Sequence, residues 1–198
     1  MPRVRALLRW LIFLAVLAAL AWRFRPYLEN AVRFVRLLRE PVPMVLPVPV
    51  EGVQPEDLRD TWGAARSEGR RHQGIDIFAP RNTQVLSATH GFVSRRVWNR
   101  LGARIITVTG PGGQHHYYAH LEAWDLPDVG DWVEAGQVLG YVGTTGNAAG
   151  TPPHLHYGIY PMSGEPINPY PLLKGESRSP PPPPSPPAAT SRSAGASR

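Results

Sequence analysis

His72, Asp76, His154 and His156 are the residues of this chain whose types and spacing point most directly to chemistry. They form two short clusters, His-Gln-Gly-Ile-Asp and His-Leu-His, set far apart in the sequence. Imidazole nitrogen and carboxylate oxygen are ligands favoured by a borderline-soft divalent cation such as zinc. Two His and one carboxylate leave a fourth position for water, the mark of a catalytic rather than a structural zinc. In extended chain, side chains two and four residues apart share a face. That alternation pairs His72 with Asp76, and His154 with His156. Gly74, between the first two, adds no side chain to crowd a metal. The helical zinc motif His-Glu-x-x-His is absent, so the site is expected on strands.

Those strands belong to a segment from about Glu51 to Lys174, where short β-rich runs alternate with Gly/Pro turns. The runs are Ile75–Phe78, Val85–Ala88, Phe92–Trp98, Arg104–Thr109, His115–His120, Gln137–Val142 and His154–Tyr160. Gly110-Pro111-Gly112-Gly113 signals a hairpin. No long helical period interrupts the segment, which predicts a compact all-β domain of two packed or partly rolled sheets. Alternation along His115–His120 predicts His116, Tyr118 and His120 on one face, with His115 and Tyr117 on the other.

The flanks differ from this body. Residues 1–40 hold eight Arg against Glu29 and Glu40, so they carry the whole net charge of +6. The balanced remainder carries no electrostatic footprint for nucleic acid, and a membrane surface is the better partner for the basic end. The apolar run between Trp10 and Trp22, extended to Leu7 and Phe24, approaches the length that spans a bilayer. Ala19-Leu20-Ala21 also fits a signal-peptide cleavage pattern, but Trp22 and the following arginines are a poor cleavage context. A retained single-pass anchor in residues 1–25 is therefore favoured over a cleaved signal and a secreted product. Pro26 to Glu40 reads as a short amphipathic juxtamembrane helix that starts at Pro26. Pro41 to Val50 reads as a polyproline spacer of roughly 30 Å. Residues 175–198, rich in Pro, Ser and Ala, read as a disordered tail. The chain has no cysteine, which excludes disulfides, thiolate metal sites and cysteine nucleophiles.

With these residues in hand, the body resembles the LytM/lysostaphin-type zinc metallopeptidases of the M23 peptidase family. The resemblance covers about Asp60 to Pro169. It rests on Arg71-His72-Gln73-Gly74-Ile75-Asp76, Tyr118-Ala119-His120-Leu121, Gly130-Asp131-Trp132-Val133-Glu134-Ala135-Gly136-Gln137, and Thr145-Gly146-Asn147 leading to His154-Leu155-His156-Tyr157. It implies a lysostaphin-type antiparallel fold and one zinc held by His72, Asp76 and His156. It also implies two non-ligand active-site histidines, His120 and His154; the chemistry favours His154 as base and His120 as oxyanion stabiliser, and the sequence does not separate this assignment from its reverse. Arg66 lies where family members often carry Arg and is a candidate contact for a substrate carboxylate, or a plain surface ion pair. Thr145 and Asn147, on a Gly-rich loop, are candidates for the cleft wall, or simply turn formers.

The implied activity is endopeptidase cleavage of peptidoglycan peptides in the cell envelope, with the domain facing the periplasm or wall. The alternative is a non-catalytic regulatory module that activates other wall hydrolases; the complete ligand set argues against it. Gly130 to Gly143 also resembles biotinyl and lipoyl carrier hairpins, but the sole lysine, Lys174, lies outside it.

Overall fold

The computed structural model of the chain describes residues 2–66 and 69–176. It contains an N-terminal helix α1 (Pro2–Arg39) and eight strands: β1 (Ile75–Phe78), β2 (Gln84–Leu86), β3 (Gly91–Asn99), β4 (Ala103–Thr109), β5 (His115–Trp124), β6 (Trp132–Val133), β7 (Val138–Val142) and β8 (His154–Tyr160). A one-turn helix α2 (Tyr170–Leu173) follows. The strands form one antiparallel hydrogen-bonded sheet in the order β1-β8-β5-β4-β3-β6, with β7 pairing β5 and β2 pairing β7.

The sheet rolls because it branches at β5. One edge of β5 pairs with β4 along its length. The other pairs with β8 at residues 115–119 and with β7 at residues 121–124. The branch point is His120, whose φ of 64° lies in the left-handed region. That conformation strains any residue with a Cβ, and such strain concentrates at functional sites. It also breaks the alternation expected from the sequence. His116 and Tyr118 point into the core, fully buried, while His120 turns to the cleft shared with Tyr117 and Ala119. The prediction that His120 shares a face with His116 and Tyr118 is thereby corrected.

The core gathers apolar residues that strand alternation directs inwards, among them Ile75, Ile77, Ile106, Val108, Leu155 and Ile159. β4, flanked by β3 and β5, is buried along nearly its whole length. The core also holds the uncharged polar side chain of His116, whose Nδ1 meets Tyr157 Oη at 2.7 Å. Its Nε2 is buried without a hydrogen-bond partner. Burial, reinforced by neighbouring His115, pushes the His116 pKa down to about 3. Unfolded histidine takes up its proton near pH 6.5. Stability from this group is therefore intact above pH 6.5 and declines as pH falls from 6.5 towards 3. The expected loss between pH 7.5 and pH 5 is about 2 kcal/mol. Denaturant midpoints of the metal-free protein at both pH values, compared with His116→Phe, check this. The variant should lose less on acidification, and equal losses would contradict the assignment.

The flanks differ from the sequence expectation in two places. α1 runs unbroken through Pro26 rather than ending before a second helix. Proline removes one helical hydrogen bond, and residues at helical spacing on both sides carry the helix past it. Residues Arg9–Arg39 are long and apolar enough, by length and composition, to cross a membrane. The last turns of α1 dock on the domain. Leu37 is buried, the Phe34 ring meets Phe92 at 5.9 Å, Arg33 stacks 4.5 Å over Trp132, and Glu40 pairs with His90 at 2.7 Å.

Pro41 to Val50 is likewise no free spacer. Leu46 and Val50 enter the core, the Leu46 amide donates to Leu172 O, and Val50 bridges Val85. Polyproline chain makes no internal hydrogen bonds, so its amides are free to pair with a neighbour once its apolar side chains dock. The tail predicted to be disordered lies, from residue 177 on, outside the described residues.

Candidate metal centre and active site

Register brings the first two candidate ligands together. Asp76 on β1 stands directly opposite His156 on β8, and His156 stands opposite Ala119 on β5. His72 precedes β1 instead of extending it, so strand alternation is not what aims its ring. A tight loop does that. The His72 amide donates to Ala64 O, the Gly63 amide donates to His72 O, and Ala65 bridges Arg71. Thr61, unmarked by any sequence signal, closes the arrangement: its hydroxyl oxygen accepts from the Asp76 amide at 2.9 Å and its carbonyl accepts from His72 Nδ1 at 2.7 Å.

The donor atoms of His72, Asp76 and His156 converge. His72 Nε2 lies 2.8 Å from His156 Nδ1 and 3.1 Å from Asp76 Oδ1, and His156 Nδ1 lies 3.2 Å from that oxygen. The three could hold one metal ion. Because the Thr61 carbonyl can only accept, the proton of neutral His72 sits on Nδ1 and leaves Nε2 with a lone pair aimed at the cluster. Two imidazole nitrogens and a carboxylate oxygen meeting at one point match the chemistry of a three-ligand zinc site. Arg66 pairs with the other carboxylate oxygen, Oδ2. Burial would raise the Asp76 carboxyl, but hydrogen bonding with His156, His72 and Arg66 holds it well below the usual carboxylate range. Burial also lowers the His156 pKa, outweighing the hydrogen bond to Asp76 that favours its charged form.

His120 and His154 lie beside the three converging donors. His154 Nδ1 faces Pro152 O at 2.8 Å, and its Nε2 lies 4.0 Å from Asp76 Oδ1. His120 Nδ1 faces Thr145 O at 2.9 Å. Both rings thus donate from Nδ1 to a carbonyl, as His72 does, and keep Nε2 as the free nitrogen. Their ring centroids are 5.2 Å apart. Burial, with His156 and His154 adjacent, lowers the His120 pKa to about 4, so its neutral form prevails at neutral pH. Thr145 contributes its backbone; its hydroxyl donates to Leu121 O.

The cleft has a volume of 620 Å³, and its lining includes Arg66, His120, Asn147, His154 and His156. Tyr117 also lines it, as do Arg70, Arg71 and Tyr160, which the sequence did not single out as cleft residues.

Gly74 has a sharper reason for its identity than open space around a metal. A Cβ there would lie 2.5 Å from Tyr157 O and 2.8 Å from His156 Cε1. Gly74→Ala must therefore push the His156 ring or its strand aside. We expect this substitution to weaken metal binding about 10–100-fold, the loss seen when a ligand's orientation is disturbed. It should also cost about 1–3 kcal/mol by overpacking. Zinc titration and thermal melts check both; unchanged metal affinity would contradict the geometry.

Comparison with known proteins agrees with this arrangement. A sequence profile of peptidase family M23 matches residues 70–169. The chain is 40% identical over 131 residues to the L-Ala–D-Glu endopeptidase of Bacillus subtilis, across 61% of this chain and 40% of that protein. It is 34% identical over 118 residues to the DD-carboxypeptidase/endopeptidase Mpg of Neisseria meningitidis, across 60% of this chain and 25% of that protein. It therefore spans less than half the length of these curated relatives. The catalytic domain of lysostaphin from Staphylococcus simulans superposes with a TM-score of 0.55 at 29% identity, over 61% of this chain and 95% of that domain. With the profile matching half of its residues over the segment that builds the cleft, the chain belongs to peptidase family M23.

Proposed function

We propose that the chain is a zinc-dependent endopeptidase that hydrolyses peptide bonds of bacterial peptidoglycan within the cell envelope. The observation that carries this reading is the convergence of His72, Asp76 and His156 beside two further imidazoles with free Nε2 atoms. The relatives' names point to the substrate class: they specify D-Glu and DD bonds, and D-residues belong to wall peptides rather than to ribosomal proteins. α1 supplies an anchor that keeps the domain at the membrane, facing the periplasm or wall.

In this reading His72, Asp76 and His156 hold one zinc ion. A zinc ion held there would supply a water of lowered pKa and a polarised scissile carbonyl. His154 takes a proton from the attacking water at Nε2 and returns it to the leaving amine. His120, held by the Thr145 carbonyl through its Nδ1–H, faces the oxygen that gains charge with Nε2, and donates a hydrogen bond to it once that negative charge draws a second proton onto the ring. Arg66, with 39% of its side chain exposed, keeps Asp76 ionised and presents its remaining donors to the substrate. Asn147 offers an amide to the peptide backbone from the cleft wall.

The test is digestion of purified peptidoglycan by the full-length chain in detergent, with zinc or with chelator. Zinc-dependent loss of cross-linked or intact stem peptides supports the reading. Intact peptides with zinc bound would overturn it.

A further inference from the structure

The cleft continues past the metal centre. Tyr117 and Tyr160, whose rings meet edge to face at 6.0 Å, also line a second hollow of 450 Å³ with Ser94, Arg95, Thr107 and His115. Register explains the continuity. Arg95 is paired with Thr107, Thr107 with Tyr117, and Tyr117 with Gly158, which makes one row across β3, β4, β5 and β8. Two residues along β5 and β8, Ala119 and His156 share that face, so the row lies on the metal side of the sheet. The next row on the same face is Thr109, His115 and Tyr160. Gly158 keeps the floor open: a Cβ there would lie 3.0 Å from Gln73 O and 3.1 Å from the Tyr160 ring.

The hollow is cationic and aromatic. None of its six lining residues is acidic. Arg25, Arg66, Arg81 and Arg96 each pair with a carboxylate, whereas Arg95 has no carboxylate partner among the described residues. His115 uses Nδ1 on Thr109 Oγ1 at 2.9 Å, which leaves its other ring nitrogen available. Strand geometry sets the reach. Arg95 stands about 7 Å along and about 10 Å across the sheet from Ala119, roughly 12 Å in all, a distance that about four residues of extended peptide cover.

We propose that Arg95, with His115 beside it, binds a carboxylate of the substrate peptide, set a few residues from the scissile bond. The arginine fork matches a carboxylate in shape and charge, and the Tyr117 and Tyr160 rings flank the peptide between the two positions. The proposal rests on the reading of the chain as a peptidoglycan endopeptidase. The carboxylate is either a side-chain group or the end of the peptide, and amidation separates the two.

The experiment is calorimetric titration of the full-length, zinc-loaded chain in detergent, carrying His154→Ala to suppress turnover. Stem peptides are compared with all carboxylates free, with the side-chain carboxylates amidated, and with the terminal carboxylate amidated. Amidation of one class should weaken binding about tenfold, and that class names the source. Adding Arg95→Ala should weaken the free peptide by the same factor and abolish the effect of amidation. Arg95→Lys, which keeps the charge and loses the fork, should fall between.

Undiminished discrimination in Arg95→Ala, unchanged affinity, or no binding of any peptide overturns the proposal. Cleavage of cross-linked peptidoglycan by the unsubstituted chain is scored separately. An intact amidation cycle without cleavage overturns the endopeptidase reading and leaves the carboxylate site standing; cleavage without the cycle does the reverse.

Discussion

Asp76→Asn is expected to leave the chain without bound zinc and with turnover reduced by about 10³-fold or more. The carboxylate is the sole anionic member of the candidate ligand set, and one of its oxygens lies within 3.2 Å of both imidazole nitrogens. An amide removes the charge and places an N–H where a lone pair is needed, either at that point or against the Arg66 guanidinium. Disturbing a residue that only orients a ligand costs roughly 10–100-fold. Loss of a ligand together with the site's negative charge should exceed that. Zinc content and peptide release are to be measured on the same sample. Full zinc occupancy in the variant would remove Asp76 from the ligand set.

His154→Ala is expected to separate metal from catalysis. His154 Nε2 stands 4.0 Å from Asp76 Oδ1, near enough to face a bound water yet outside the converging trio. Its Nδ1 is committed to Pro152 O, so only Nε2 is free to move a proton. Removing a general acid–base group typically costs 10²–10⁴-fold. We expect turnover to fall by about that factor with zinc retained at the parent level. Zinc loss in this variant would make His154 a ligand; retained turnover would deny it the role of base.

Much of this site was legible from residue types and spacing, and the exceptions have physical causes. Asp76 and His156 sit on strands whose alternation the sequence displays, while their pairing across β1 and β8 is set by the sheet topology. His72 reached the site for a different reason than its spacing from Asp76, through a loop tied by Ala64, Gly63 and Thr61. Thr61 acts over 11 and 15 residues, and no local pattern marks a contact of that kind. His120 was legible by motif and not by alternation, because the sheet branches at that residue and reverses the face it presents. β6, two residues long, gives too short a run for periodicity to act on. Prolines between 41 and 50 mark a stretch without helix or strand periodicity. Whether such chain docks depends on what its valines and Leu46 meet, and that is set by the tertiary fold.

The most direct test of the central claim is digestion of peptidoglycan in heavy-oxygen water by the zinc-loaded full-length chain, with fragments read by mass spectrometry. The account predicts new amine ends, each matched by a carboxyl carrying one heavy oxygen, and the disappearance of both under chelation. Unlabelled, uncut peptides from protein with one zinc bound would contradict it.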